Sequence, residues 1–390
     1  MPDGREAITI ELLDRIDLVD GAAWDACAGT ANPFVSYTFL HALEESGSVG
    51  EESGWMPQHL VVQDEAGGML GAAPMYLKNH SQGEYVFDWG WADAYERAGG
   101  RYYPKLQLAV PFSPVAGPRL LVRPGPQADA VRKAMIGGLI EIATRYGVSS
   151  LHVTFAQDAD VDALAESGFL VRHGHQFHWH NRDYGGFDDF LADLSSRKRK
   201  NIRKERLKVA DMGINVAMLN GADILPRHWD EFHQFYVNTY DRKWGYPYLT
   251  RDFFAMLGER MADRVGLVRA DVDGLAIAGA LNMVGDTALY GRNWGCDGRY
   301  PFLHFECCYY QAIDFAIARG LATVEAGTQG PHKIQRGYLP VRTQSAHWIR
   351  DEGFRDAVGD FLARERRAEA GESEYLAEMS PFRRTENDPA

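Results

Sequence analysis

Between residues 287 and 348 the chain gathers side chains able to move a proton or hold an anion: His304, Glu306, Glu325, Gln329, His332, Lys333, Arg336 and His347. An imidazole titrates near neutrality and burial lifts a carboxylate toward it, so His332, His304 or Glu306 could take the proton of an attacking amine. Lys333 and Arg336 add positive charge for a phosphate or carboxylate. A covalent route through the neighbouring Cys307 and Cys308 is also open, but on a helix the two point about 100° apart, so only one could face a site. Small buried core residues are their expected role.

The elements around these residues determine where they meet. Residues 287–294 read as a strand, 295–301 as a Gly-containing turn, 303–319 as a helix and 322–326 as a second strand. A strand that turns into a helix aims unpaired N–H groups, and the positive helix end, at one point. Strand, helix, strand with a short return makes a right-handed parallel crossover. The turn and the segment after Glu325 are therefore expected at one sheet edge.

The 390 residues, 45% of them apolar, suffice for two ordinary domains. A net charge of −13 argues against a general nucleic-acid coat, so RNA or an anionic membrane would have to be met by a local patch. The four cysteines lack CxxC spacing, which suits a reducing cytoplasm. No apolar run approaches the roughly 20 residues that span a bilayer, and the polar start has no signal-peptide pattern. The expected location is cytoplasmic, with any membrane contact peripheral.

In the first half, residues 58–63 and 69–77 read as a hairpin, 126–146 as a helix, 150–155 as a strand, 159–167 as a helix and 169–180 as a strand. The same order returns later, so the chain looks like two copies of one α/β unit, divided at 181/182. Between them, residues 78–91 mix charges and aromatics on a strand-like stretch that continues to Tyr102 and Lys105. Such a wall grips a ligand or packs as a loop layer. His173, His175, His178 and His180 alternate between two strand faces, so no metal site is assigned.

Residues 187–212 read as one helix. Its stretch 197–208 holds eight basic residues in twelve positions, with Glu205 the only acid. Solvated faces usually interleave the two signs, so a patch meeting phosphates of a nucleotide, a tRNA or lipid headgroups fits better. After it come a strand, two helices flanking the aromatic loop with Trp244, a hairpin through Asp273-Gly274, and a closing helix over 360–379.

The second half resembles the GNAT acyltransferase fold, and the first half looks like another copy. Pro74-Met-Tyr-Leu-Lys78, Gly83-Glu-Tyr-Val-Phe-Asp88, Tyr102-Tyr-Pro-Lys105, Pro111-Phe112, His304-Phe-Glu306 and Gly330-Pro-His-Lys333 with Arg336-Gly337 are similar to FemAB-like N-acyltransferases, and some bacterial ceramide synthases resemble this grouping. The resemblance implies an α/β (α+β) fold of tandem duplicated GNAT-like domains, 1–181 and 182–390, each a mixed sheet flanked by helices. It also implies transfer of an acyl group from acyl-CoA to an amine, such as a sphingoid base or a cell-envelope precursor, without a metal. By that analogy Tyr290, Arg292, Gly298, Arg299, Lys333 and Arg336 hold the donor. Lys78, Glu84, Asp88, Tyr102, Lys105, Trp244, Glu325 and His347 form the acceptor side. The turn Gly295-Cys-Asp-Gly-Arg-Tyr-Pro301 departs from the usual pyrophosphate loop, with Arg299 standing where backbone amides would serve. An aminoacyl-tRNA donor is the first alternative and a non-catalytic binding module the second.

Overall fold

The computed structural model describes residues 8–241, 246–327 and 330–383, so Trp244 and Gln329 lie outside the described residues. The chain forms two compact units, Met1–Gly174 with Thr343–Glu369 and His175–Arg342 with Ala370–Ala390. The expected single cut at 181/182 thus sits a few residues late, and residues 343–369 return to the first unit. Their last strand pairs there, with Ser345–Ile349 antiparallel to Ser150–Thr154. A partner so distant in sequence leaves no local sign.

In the first unit the short strands are β1 (Thr9–Leu13), β2 (Trp55–Pro57), β3 (His59–Gln63), β4 (Met69–Ala73), β5 (Met75–Lys78), β6 (Lys105–Leu108), β7 (Leu121–Val122) and β8 (Ser150–Thr154). β1-β3-β4-β7 make a four-stranded sheet. β2, β5 and β6 pair antiparallel in turn, and β6 then pairs parallel to β8. A core of Leu106, Leu108, Leu151 and Val153 packs with Val131, Met135 and Leu139 of the helix Ala128–Tyr146. Each such side chain contributes about 1.5–3 kcal/mol on burial.

That unit also buries charge. Lys78 and Lys105 stand opposite each other in the β5–β6 ladder, both with no exposed surface. Two like charges so placed repel, and the loop that follows β5 answers them: Lys105 Nζ donates to Glu84 Oε2 at 2.8 Å, Asp88 Oδ2 at 2.5 Å and Ser81 Oγ at 2.8 Å. Lys78 Nζ donates to the Gln82 carbonyl and lies 3.5 Å from the centre of the Trp55 ring. Tyr102 donates to Asp88 at 2.6 Å, and His152 Nδ1 meets His347 Nδ1 at 2.7 Å. Burial, aided by Lys105, lowers His152 to about 3, and burial with His152 beside it holds His347 well below the usual range. Burial opposes charge on Lys105 too, yet Glu84 and Asp88 outweigh it and keep the ammonium protonated.

Of the strand-like stretch 78–91, Lys78 ends β5 and residues 79–88 are a loop that leads into helix α1 (Trp89–Arg97). Replacing Lys105 by Met strands two buried carboxylates and should cost about 3–5 kcal/mol in a denaturant titration, whereas exposed Lys133→Met should stay within about 0.5 kcal/mol. The two neutral imidazoles add a pH dependence. Below about pH 6.5 the unfolded chain takes up protons that the folded chain refuses. Stability should fall as the pH drops from there toward 3, read as a lower melting temperature at pH 4.5 than at pH 7.

The second unit is also built on a sheet. β9 (Leu170–His180) contributes its second half, followed by β10 (Asn215–Asn220), β11 (Val265–Val272), β12 (Leu275–Val284), β13 (Ala288–Cys296) and β14 (Thr323–Glu325), in the order β10-β11-β12-β13-β14-β9. All neighbours are antiparallel except β13 and β14. An antiparallel, parallel, antiparallel succession thus occurs in each unit, as tandem GNAT-like domains require.

The expected helix over 187–212 is two, α2 (Phe187–Asp193) and α3 (Ser196–Asp211). Leu194 and Ser195 between them are extended, because Leu194 is buried and Ser195 N–H donates to the Pro381 carbonyl. α4 (Pro226–Asp241) crosses β13 so closely that a side chain at Gly295 would sit 2.1 Å from the Phe235 carbonyl. The expected helix over 303–319 is a single α turn at Leu303–Phe305, a π turn at Glu306–Tyr310 and α5 (Gln311–Arg319). Its inner face packs Tyr310, Ile313 and Ala316 on Trp179, Leu289 and Val324. The closing helix spans Glu352–Glu378, earlier than expected, since Asp351 Oδ1 accepts from Phe354 N–H at its start.

Candidate functional site

The second unit's sheet opens at one place. Among the described residues β13 and β14 pair over three positions, ending at Tyr290 opposite Glu325, where β14 ends while β13 runs on to Cys296. At the same level β13 slips against β12: Leu281 faces Asn293 and Asn282 faces Gly291, so Arg292 is bulged out of the ladder. A bulge bends its strand and re-aims its side chains. In the opening is a pocket of about 340 Å³.

Asn282, Gly291, Arg292 and Trp294 line the pocket from the strands, His304, Cys308 and Tyr309 from the helix, and His332 and Lys333 from the 3-10 turn Pro331–Arg336. A side chain at Gly291 would press to 3.2 Å on the Glu325 carbonyl, so the narrow floor calls for glycine. Gly330 holds a φ of +105°, and a Cβ there would lie 2.2 Å from the His332 ring. Only a glycine enters the turn that presents His332.

Tyr309 Oη lies 3.0 Å from His332 Nε2. Burial holds the phenol above its ordinary range, so Tyr309 keeps its proton and donates to Nε2. Burial, then Arg336 and Lys333, lowers the His332 imidazolium, which leaves the ring neutral at pH 7 with its Nδ1 carrying the proton. Lys333 is lowered to about 8 by burial, and its ammonium donates to the carbonyls of Ala326 at 2.5 Å and Gly327 at 3.1 Å.

The opposite face of the sheet at this level is also polar. Leu289, Val324 and Trp179 point to the helix side, so by alternation their neighbours Tyr290, Glu325 and His178 point away from it. Burial raises the Glu325 carboxyl to about 8 against the pull of Arg292, and among the described residues its Oε2 has no hydrogen-bond partner. His178, lowered to about 4 by burial, then His180 and Lys333, has Nε2 3.8 Å from that oxygen. At pH 7 this is a contact of two neutral groups.

Over residues 15–384 the sequence matches the FemAB-like family, described as peptidoglycan biosynthesis/recognition. The chain belongs to this family. No curated protein matches it. Among solved structures the FemAB-like chain is similar in fold to FemX, at 11% identity, TM-score 0.55, 87% of this chain and 98% of the other. It is similar also to the C-terminal domain of a putative lysylphosphatidylglycerol synthetase from Agrobacterium fabrum, at 10%, 0.52, 88% and 94%, and to L-PGS from Bacillus licheniformis, at 11%, 0.50, 83% and 93%.

The FemAB-like chain brings together His304, His332, Lys333 and Arg292 of the residues expected from sequence. Glu306 is elsewhere. It lines a separate pocket, with Oε1 accepting from Arg206 at 3.0 Å and Gln311 at 2.9 Å. Arg336 is turned inward: it donates to Glu205 at 2.8 and 3.0 Å, to Tyr310 and to the His332 carbonyl, and stacks 3.4 Å from the centre of Phe305. It positions the His332 turn and leaves no nitrogen for a donor phosphate. Gly298 and Arg299 sit on the loop after β13, outside the pocket lining, with Arg299 exposed. Lys78, Glu84, Asp88, Tyr102 and Lys105 partner one another inside the first unit and His347 bonds to His152, all at most 4% exposed. Sequence reasoning missed Tyr309, Trp294 and Asn282, which carry no motif, and assigned Cys308 to the core.

The Glu325 carboxyl sets a testable pH dependence. Folded, it keeps a proton up to about pH 8, whereas the unfolded chain releases it near the ordinary glutamate value of 4.5. Stability therefore declines as pH rises between these values. Glu325→Gln should remove that decline, raising the melting temperature relative to the parent at pH 8 but little at pH 5.

Proposed function

We propose that the FemAB-like chain is an N-acyltransferase that moves an acyl group from acyl-CoA to an amine in the second unit's pocket. The reading is carried by the hydrogen-bonded Tyr309–His332 pair at the point where β13 and β14 part. There, the bulged strand and a neutral imidazole face one space. An amine attacks only as the free base, and its proton passes to Tyr309 Oη as Tyr309 hands its own to Nε2 of His332, neutral at pH 7. The amine nitrogen bonds to the thioester carbonyl carbon, the C–S bond breaks, and the thiolate leaves with a proton. Tyr309, held protonated, and Lys333, near its midpoint at about 8, can each give that proton. Arg292 and Lys333 set positive charge beside the developing oxyanion. A lipid-like or envelope-precursor amine is the acceptor class proposed, in keeping with the family's description.

An aminoacyl ester on tRNA would undergo the same attack, and the basic helix α3 favours that donor as the second reading. Native mass spectrometry and thermal shift with acetyl-CoA, a long-chain acyl-CoA and free CoA separate the two. At a hundred times its dissociation constant a true donor stabilises by about 2.7 kcal/mol. No response to any CoA species, with activity on aminoacyl-tRNA that RNase abolishes, would replace acyl-CoA by the tRNA donor.

His332→Ala should lower kcat by about 10²- to 10⁴-fold with little change in melting temperature, since the side chain is exposed. The parent's kcat/KM should fall only below about pH 6.5, because the His332 value is shifted down from there. A variant with undiminished kcat would remove His332 from the mechanism.

A further inference from the structure

The larger pocket of the second unit, about 580 Å³, lies behind the basic helix and away from Tyr309 and His332. Its lining is mostly apolar, with Leu191, Val209, Ala210, Ile214 and Val216 below and Leu207 at the rim. Leu207 is 63% exposed, on a helix otherwise dense with cations.

The spacing on α3 orders these residues into two adjoining rows. Lys200, Lys204 and Lys208 recur every four positions on one exposed row, and Arg203, Leu207 and Ala210 form the next, also exposed. Four of the acids nearby are already engaged, and Asp211 lies at the helix's last position. Asp188 pairs with Arg203, Glu306 and Asp314 pair with Arg206, and Glu205 pairs with Arg336. Among the described residues Lys200, Lys204 and Lys208 have no acidic partner. An exposed cationic row, an exposed leucine beside it and an apolar pocket behind it belong to a surface that meets charge and hydrocarbon together.

We propose that α3 and this pocket dock the chain on an anionic phospholipid bilayer, with the lysine row on the headgroups and Leu207 and the pocket mouth toward the acyl chains. A tRNA backbone would engage the lysines but would gain nothing from Leu207. The aromatic ring nearest for stacking, Phe187, is covered by Arg206 with its guanidinium 4.4 Å from the ring centre. The inference goes beyond the transfer reading and does not rest on it, because vesicle binding needs no turnover.

The test is sedimentation of the full chain with vesicles of phosphatidylcholine alone and of phosphatidylcholine mixed with phosphatidylglycerol. The parent should sediment only with the mixed vesicles. Joint Lys200→Gln, Lys204→Gln and Lys208→Gln should weaken the apparent affinity on the order of a hundredfold, at roughly fivefold per lysine near a surface. Leu207→Asp should weaken it by at least about tenfold at unchanged cation count. All four side chains are exposed, so melting temperatures should match the parent and an unfolded variant is recognised. Equal binding to both vesicle types, no binding to either, or a Leu207→Asp variant equal to the parent would overturn the proposal. So would lysine-dependent binding of tRNA without vesicle affinity, which would assign the helix to RNA.

Discussion

Among the described residues three ladder pairs, from Ala288–Thr323 to Tyr290–Glu325, join β13 to β14, and the second unit's chemistry depends on their ending there. A longer parallel ladder would satisfy the strand backbones and close the sheet. Because β14 stops, β13 must leave its neighbour, and the Arg292 bulge takes up the misfit with β12. The space so created is bounded by strands, by the helix that follows β13 and by the turn that follows β14. Residues distant in sequence then meet: Asn282, Trp294, Tyr309, His332 and Lys333. The pocket follows from a termination.

The strand, turn, helix and strand were legible because apolar spacing changes from a period of two to about 3.6 at a glycine-bearing turn. Which helix face meets the pocket was not legible. The π turn at Glu306–Tyr310 adds a residue to the coil, and one residue is worth about 100° of rotation. Glu306 is thereby turned to Arg206 and Gln311, while Cys308 and Tyr309 face the opening. No residue in Glu306-Cys-Cys-Tyr-Tyr310 announces that turn.

The first unit shows a different limit. A run of lysines, carboxylates and tyrosines reads as a ligand wall when their mutual distances are unknown. Lys78 and Lys105 are cross-strand partners, and the loop after β5 returns Glu84 and Asp88 to them. The charges cancel inside the fold, so the same composition that marks a binding site here holds a loop on a sheet. Buried pairs of this kind add little net stability, yet losing one partner is costly. They specify one arrangement of that loop more than they strengthen it.

One clamp in the second unit reaches further. Glu205 projects inward from α3 and holds Arg336, whose guanidinium also grips the carbonyl of His332. The helix is therefore two-sided, with lysines that face outward and one acid, Glu205, that steadies the base of the pocket. A mutational scan that treats residues 197–208 as one electrostatic patch would average two unrelated effects. Neutralising Glu205, which makes the helix more basic, loosens the imidazole, and neutralising Lys204 beside it leaves the imidazole untouched.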